Sequence, residues 1–390
     1  MTEQTTWAQI LDQAIAFRHQ LHQSPELTWQ EERTTQRIRQ QLDQLGIVWR
    51  ECGKHGTVAT LAADRSGRHV GLRGDIDALP IHEACDVPFK SQTEGTMHAC
   101  GHDGHTAALW ATAAWLKQHE DTLQGPVSFL FQPAEEGGHG AESMIQHGAL
   151  NGIDVIFGWH NWPAMPFGQA VCPDGPVMSG NGTFTIEVIG KGGHASQPEL
   201  CKDPVVAAAA ITLNLQQIIS RQLPPQAAAV VNVSSIEAPS ASTVIPETAK
   251  LSGSIRLSDP SLRSRINDAI VQISQDTARA YGVEAQVQCE ARYDATINHA
   301  EAAGEFRQAL AAELGDDWRS TALAVPIMAS EDFSYYLQQI PGAFALIGMH
   351  DDEKFHHPCH SPHYQFNDQL IEQVVRCFAR LCQAPLPCKD

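Results

Sequence analysis

Hydrophobic positions along the chain follow two rhythms. Trp7, Ile10, Leu11, Ala14 and Ile15 recur at the three-to-four-residue spacing of a helix that buries one face. A second such pattern covers residues 30–45 and stops at Gly46, a residue suited to ending a helix. Shorter apolar stretches follow, "GTVATLAA" and "HVGLRGDID", and these predict strands. The segment after His105 is rich in Ala, Leu and Trp and predicts a helix. "VSFLFQ" and "DVIFGWH" are brief unbroken apolar runs, as expected of strands covered on both faces. Strands alternating with helices predict an α/β layer.

Near Ser179 the rhythm changes. "GTFTIEVIGKGG" alternates apolar and polar residues, the pattern of an antiparallel strand with one wet face. Asp203 and Pro204 then supply an N-cap and a first-turn proline for a helix to about Leu223. "AAAVVNVSSIE" and "TAKLSGSIRLS" predict two more strands. Ser258, Asp259 and Pro260 start another helix, to about Tyr281, and "GVEAQVQCE" predicts a last strand. The order β-α-β-β-α-β describes a compact α+β unit with its own sheet. After Arg292 the α/β character returns through "GAFALIG" and a final helix from Asn367. The expected organisation is therefore two-domain. Residues 1–178 and 293–390 form one discontinuous α/β domain, and residues 179–292 form an inserted α+β domain.

Composition narrows the classes of function. With 390 residues the chain exceeds what a single core usually holds, and 43% hydrophobic residues suffice for two cores. A formal net charge of −19 disfavours nucleic acid and anionic membrane surfaces as partners. The first residues show no basic segment followed by an apolar run, so no signal peptide is expected. The Ala-rich stretch 205–219 is interrupted by Thr212, Asn214, Gln216 and Gln217 and is not expected to span a bilayer. Ten cysteines are scattered without a CxxC pair, which suggests reduced thiols and a cytoplasmic location.

Four places carry metal-binding chemistry: Cys100-Gly101-His102, the adjacent Glu135 and Glu136 in "FQPAEEGG", His160 in "GWHNWP", and His360 in "HHPCHSPHYQFND". Each falls where a strand is expected to give way to a loop, the edge of an open α/β sheet at which ligands bind. Thiolate, imidazole and carboxylate together make a transition-metal donor set. A single histidine is more often a satisfied structural residue, and adjacent glutamates are often a solvated surface pair. Four clusters together outweigh those readings. Neighbouring side chains on an extended segment point different ways, so one glutamate can bind metal while the other faces a substrate.

The motifs "GLRGDIDALPI", "MHACGHDGHTA", "FQPAEEGGHGA", "GWHNWP", "GKGGHASQP", "VIPETAKLSGSIR", "SEDFSYYL" and "HSPHYQFND" resemble, in order, the amidohydrolase branch of the M20 metallopeptidases. That branch includes aminoacylase-like N-acyl-amino-acid hydrolases, hippurate hydrolases and auxin-conjugate hydrolases. The resemblance implies a mixed-sheet metallopeptidase-like catalytic domain with an inserted lid or dimerisation domain. It also implies two divalent metal ions per subunit, Zn²⁺ or Mn²⁺, with Co²⁺ or Ni²⁺ as alternatives. By motif position, Cys100, His102, Glu136, His160 and His360 resemble the metal ligands, Glu135 the general base and Asp77 the acid that supports the site. A Cys100 thiolate is expected to bridge the ions, because adjacent cations favour the deprotonated sulfur. His98 and His105 flank the ligand motif and are assigned to capping or supporting hydrogen bonds. His194 resembles the histidine that a partner subunit's lid contributes, which implies a homodimer or a homotetramer. Arg256 is a candidate for the substrate carboxylate.

Two positions depart from the family pattern. Thr243 stands where the family usually has Asn, beside the expected substrate, and Glu199 stands where many relatives have His. Glu199 would favour a cationic substrate such as an N-acylated diamino acid, or it is a solvated glutamate. The resemblance implies hydrolysis of an N-acyl, foremost N-acetyl, amino acid to a carboxylate and a free amino acid. The alternatives are a dipeptidase or carboxypeptidase of the same family, and a metal-binding protein without catalysis. Glu135 beside five ligand candidates argues against the last, since binding alone needs no base.

Overall fold

The structure, a computed structural model, describes residues 5–388. They divide into two compact units. The first holds the described residues up to Val177, Ile297–Val325 and those from Asp332 onward; the second holds Met178–Thr296 and Pro326–Glu331. The expected insertion, 179–292, lies inside the second unit. The short segment Pro326–Glu331 has no sequence signal of its own. It joins that unit through backbone pairing, with Ser179 N donating to Ile327 O and Ala329 O, both at 2.9 Å.

Among the described residues, the first unit is built on a seven-stranded mixed sheet. Four neighbouring strands are parallel: Val127–Gln132, Val70–Asp75, Val155–Pro166 and Gly342–His350. Thr57–Leu61 and then Trp49–Glu51 extend one edge in antiparallel fashion, and Ala170–Val171 pairs antiparallel at the other. Val70–Asp75 and Val127–Gln132 are buried throughout, as their unbroken apolar character predicts. Helix Trp7–Gln23 begins with a capping box in which Thr6 and Gln9 satisfy each other's backbone amides. It packs on helix His102–Gln118, which is buried from His102 to Leu116 and packs in turn on Gln369–Leu381.

The second unit has a four-stranded antiparallel sheet, in the order Ala229–Glu237, Thr248–Leu257, Gly180–Ile189 and Glu284–Ala291. Its elements follow the expected β-α-β-β-α-β order. Phe184, Ile186 and Val188 on one strand, and Leu251, Ile255 and Leu257 on the next, bury one face against helices Pro204–Leu215 and Arg263–Ala280. Asp203 caps the first of these helices by accepting the amide of Val205 at 2.8 Å. That helix ends at Leu215, short of the expected Leu223, and a separate π-turn covers Ile218–Gln222. Among the described residues, no helix is long and apolar enough to cross a membrane.

Close packing sets the position of helix His102–Gln118. A Cβ on Gly104 would overlap the ring of Phe366. Gly104→Ala should therefore destabilise the protein by about 1–3 kcal/mol, the usual cost of overpacking a full core. The effect should read as a lower urea midpoint at unchanged m-value.

Candidate metal centre

The carboxyl ends of the parallel strands place the candidate donors. Asp77 lies two residues beyond Val70–Asp75, and Glu135 and Glu136 follow Val127–Gln132 through Pro133 and Ala134. His102 is the first residue of its helix. Gly101 before it takes φ 94°, and a Cβ there would overlap Asn161 Oδ1 and the Tyr364 hydroxyl. The glycine thus lets Cys100 and His102 turn toward one point. His160 was expected at a strand end. It lies mid-strand, because Val155–Pro166 keeps pairing with Gly342–His350 as far as Pro166. His360 sits at φ 69°, and its amide donates to Ala99 O at 2.8 Å, which fixes it beside the cysteine motif.

The structure brings the predicted donors together. Cys100 Sγ lies 3.3 Å from His160 Nε2, and His360 Nε2 lies 3.2 Å from Glu136 Oε1. Donor atoms of Cys100, His102 and His160 fall within 4.8 Å of one another, as do those of Cys100, Glu136 and His360, and those of His102, Glu135 and Glu136. Cys100 belongs to two of these groups. Both imidazoles are turned by their outer nitrogens. His102 Nδ1 is 2.9 Å from Asp77 O, and His160 Nδ1 is 2.7 Å from Asn161 O, so each presents Nε2 to the other donors. This is how protein partners orient metal-ligating histidines. His102 Nε2 is buried without a hydrogen-bond partner among the described residues. An orphaned imidazole nitrogen amid sulfur and carboxylate donors fits a divalent cation.

The electrostatics agree. Burial opposes the His102 imidazolium, but Asp75, Asp77 and Glu136 outweigh it and raise its pKa to about 10. A pocket that holds a proton so strongly is one in which a cation is favoured. Burial and the charge on His105 keep His160 well below its ordinary value, with its lone pair free for coordination. A bond with Cys359, burial, and Glu136 and Glu135 push the Cys100 thiol well above its usual range. A divalent cation among these donors would reverse that preference and favour the thiolate. Asp77 resists burial through its bond and charge contact with His102 and through the amide of Glu136, and it stays below the usual carboxylate range.

Supporting residues surround the candidate donors, and one of them, Asn161, the motifs did not single out. Asn161 faces His105 Nε2 at 2.7 Å and donates to the Tyr364 hydroxyl at 2.8 Å. Its place in "GWHNWP" was the available signal. His105 Nδ1 meets Asp75 Oδ1 at 2.6 Å, so this histidine supports the layer behind the donors. Asp75, His102 and His105 form a further possible donor group, but Arg73 already holds Asp75 at 2.6 Å. His98 is buried, its pKa pushed down to about 4 foremost by that burial, and its ring nitrogens have no partner among the described residues. Neither is used for capping.

The remaining predicted residues belong to the second unit. His194 pairs with Val244 in a two-stranded ribbon, and Ala195 N donates to Thr243 O at 2.9 Å, so His194 and Thr243 are neighbours. The His194 ring is held by Ser196, whose Oγ lies 2.8 Å from Nδ1. Arg256 lies on strand Thr248–Leu257 and donates to Ser330 Oγ at 3.0 Å. Burial, then Arg292, lowers its pKa. Glu199 lies exposed on the short turn Pro198–Leu200.

Comparison with known proteins identifies the family. Residues 71–384 match the sequence profile of peptidase family M20/M25/M40. The chain is 37% identical over 371 residues to hippurate hydrolase of Campylobacter jejuni, covering 94% of each chain. It is 38% identical over 351 residues to N-acetyl-L-cysteine deacetylase of Bacillus subtilis, covering 89% of this chain and 82% of the relative. A crystal structure of a dinuclear metal-binding M20 peptidase from Bacillus subtilis superposes with a TM-score of 0.83 at 31% identity, over 96% of this chain and 97% of the other. The chain belongs to peptidase family M20/M25/M40 and is a metal-dependent hydrolase of amide bonds.

Proposed function

We propose that the enzyme hydrolyses the amide of an N-acyl amino acid, foremost an N-acetyl amino acid, releasing a carboxylate and the free amino acid. The observation that carries this reading is the sharing of Cys100 between two donor groups, one completed by His102 and His160 and the other by Glu136 and His360. Two such groups could each hold a divalent cation, with Cys100 available to both. Relatives named for hippurate and N-acetylcysteine support an N-acyl substrate. Sulfur, nitrogen and carboxylate donors suit Zn²⁺, and the carboxylates also suit Mn²⁺.

Bound there, the cations would polarise the amide carbonyl and acidify a water. The chain's own residues do the rest. Glu135 is buried beside His102 and Glu136 and takes the proton of the attacking water. It then returns that proton to the leaving amine. Asp77 fixes Glu135 and Glu136 by accepting both their amides at 3.0 Å. His194, supplied by the partner subunit of a homodimer, stabilises the carbonyl oxygen as it gains charge. Thr243 beside it and Arg256 hold the carboxylate end of the substrate. Glu199, exposed on its turn, acts as a solvated residue and leaves the charge of the amino acid unselected.

Three experiments test these roles. Glu135→Gln should keep its metal content by elemental analysis and lose about 10²–10⁴-fold in turnover of N-acetyl amino acids, the usual contribution of a positioned base. Metal loss, or near-normal turnover, would overturn the assignment. Cys100→Ser should retain less metal than wild type after equal dialysis, since a neutral hydroxyl replaces a soft anion; equal retention counts against ligation. Glu135→Gln and His194→Ala, each nearly inactive alone, should recover about a quarter of wild-type activity when mixed equally with free subunit exchange. Half the dimers are then mixed, and each has one intact site under two-fold symmetry. Verified exchange without recovery would place His194 in its own chain's site or outside any.

A further inference from the structure

The segment between the first two helices crosses the loop that carries the adjacent glutamates. Ala78 N donates to Glu26 O at 2.9 Å, and Thr28 Oγ1 donates to Asp77 Oδ2 at 2.8 Å. Trp29 Nε1 donates to Gly138 O at 3.0 Å. A Cβ on Gly138 would press on Thr28, Ala134 and the Trp29 ring, so the two segments touch without room for a side chain. Two residues at this crossing take left-handed backbone without being glycine: Trp29 at φ 64° and Ala134 at φ 57°. Such a conformation is disfavoured for any residue with a Cβ and persists only where the surroundings impose it.

One atom serves both. Glu31 Oε1 accepts the amide of Trp29 at 3.0 Å and the amide of Ala134 at 2.9 Å. Glu31 is wholly buried, and its Oε2 has no hydrogen-bond partner among the described residues. Nothing in the reaction proposed above uses this carboxyl, and a buried acid with a bare oxygen requires an explanation.

We propose that Glu31 is a positioning residue, whose single oxygen pins the left-handed turns at Trp29 and Ala134 and thereby sets the direction in which Glu135 and Glu136 leave their strand. Ala134 immediately precedes Glu135, so a rotation at Ala134 swings both carboxylates away from His102 and Cys100. Burial, and then the nearby charge of Asp77, push the Glu31 pKa up to about 8. In both bonds Oε1 acts only as an acceptor, and the side-chain oxygen of a glutamine can accept the same two amides. The part played in catalysis rests on the function proposed above; the brace itself does not.

The test compares Glu31→Gln, Glu31→Ala and wild type in the full-length protein by two measurements. The first is hydrogen exchange of the peptide spanning residues 131–138, with the sheet of the second unit as an internal control of folding. The second is kcat and KM on an N-acetyl amino acid in the presence of Mn²⁺ or Zn²⁺. Glu31→Ala should raise exchange in residues 131–138 by about 10-fold or more, because a buried donor loses its acceptor, with the control peptides unchanged. Its kcat should fall by about 10-fold or more at nearly constant KM, as misplacing reacting groups does. Glu31→Gln should restore both to within about 3-fold of wild type. Unchanged loop exchange in the alanine variant would overturn the proposal, and so would a glutamine variant as impaired as alanine. A wild-type enzyme inactive on every N-acyl amino acid would refute the proposed reaction instead, and the exchange measurement would still decide the brace.

Discussion

Asp77 accepts the amides of Glu135 and Glu136 on its two oxygens, takes the Thr28 hydroxyl on one of them, and faces His102 Nδ1 with the other. A carboxylate out of contact with water is costly unless its lone pairs are bonded, and here they are. That requirement ties four segments distant in sequence to one side chain. The loop after one parallel strand, the loop after its neighbour, the start of the long buried helix and the N-terminal crossing must all reach the same carboxylate. Their donors converge because the carboxylate's bonds leave them little freedom.

The same region gathers acidic side chains, imidazoles and a thiol. Asp75 is matched by Arg73 and His105, so it belongs to the interior scaffold. Glu136 lies beside Cys100 and meets His360 Nε2 at 3.2 Å. His102 responds by holding a proton to about pH 10, and Cys100 by keeping its own. A cation held by these atoms would compete with their protons, and its binding would release them. The Cys100 thiol is buried, and its bond with Cys359 and that burial favour the protonated form.

Much of this was legible in the residues. The inserted antiparallel unit announced itself by alternation in "GTFTIEVIG", because a sheet with one wet face must alternate. The candidate donors at 100–102, 135–136, 160 and 360 could be picked out because thiol, imidazole and carboxylate side chains sit in short motifs there, and the structure places them near one another. What escaped was set by tertiary contact. The end of the helix at Leu215 and the continuation of the strand beyond His160 depend on neighbours that periodicity does not encode. The segment Pro326–Glu331 has no pattern of its own and belongs to the second unit only through its pairing. Asn161 and Glu31 carry polar side chains of ordinary kind. Their roles appear only once the chain's crossing points are known.

The parallel pairing of Val155–Pro166 with Gly342–His350 also governs the order in which the chain can be assembled. The first of these strands leaves the ribosome before the whole second unit, and its eventual partner leaves after it. In the interval an apolar strand in the middle of the future sheet has an open edge, the kind of surface that pairs with the wrong neighbour. Closing so long a loop is slow, since its entropy is lost before the contact is gained. His360 arrives later still, so a nascent chain can gather Cys100, His102 and His160 but cannot complete the second donor group. The insertion that separates the two strands thus lengthens the interval in which that edge stays unpaired on the growing chain.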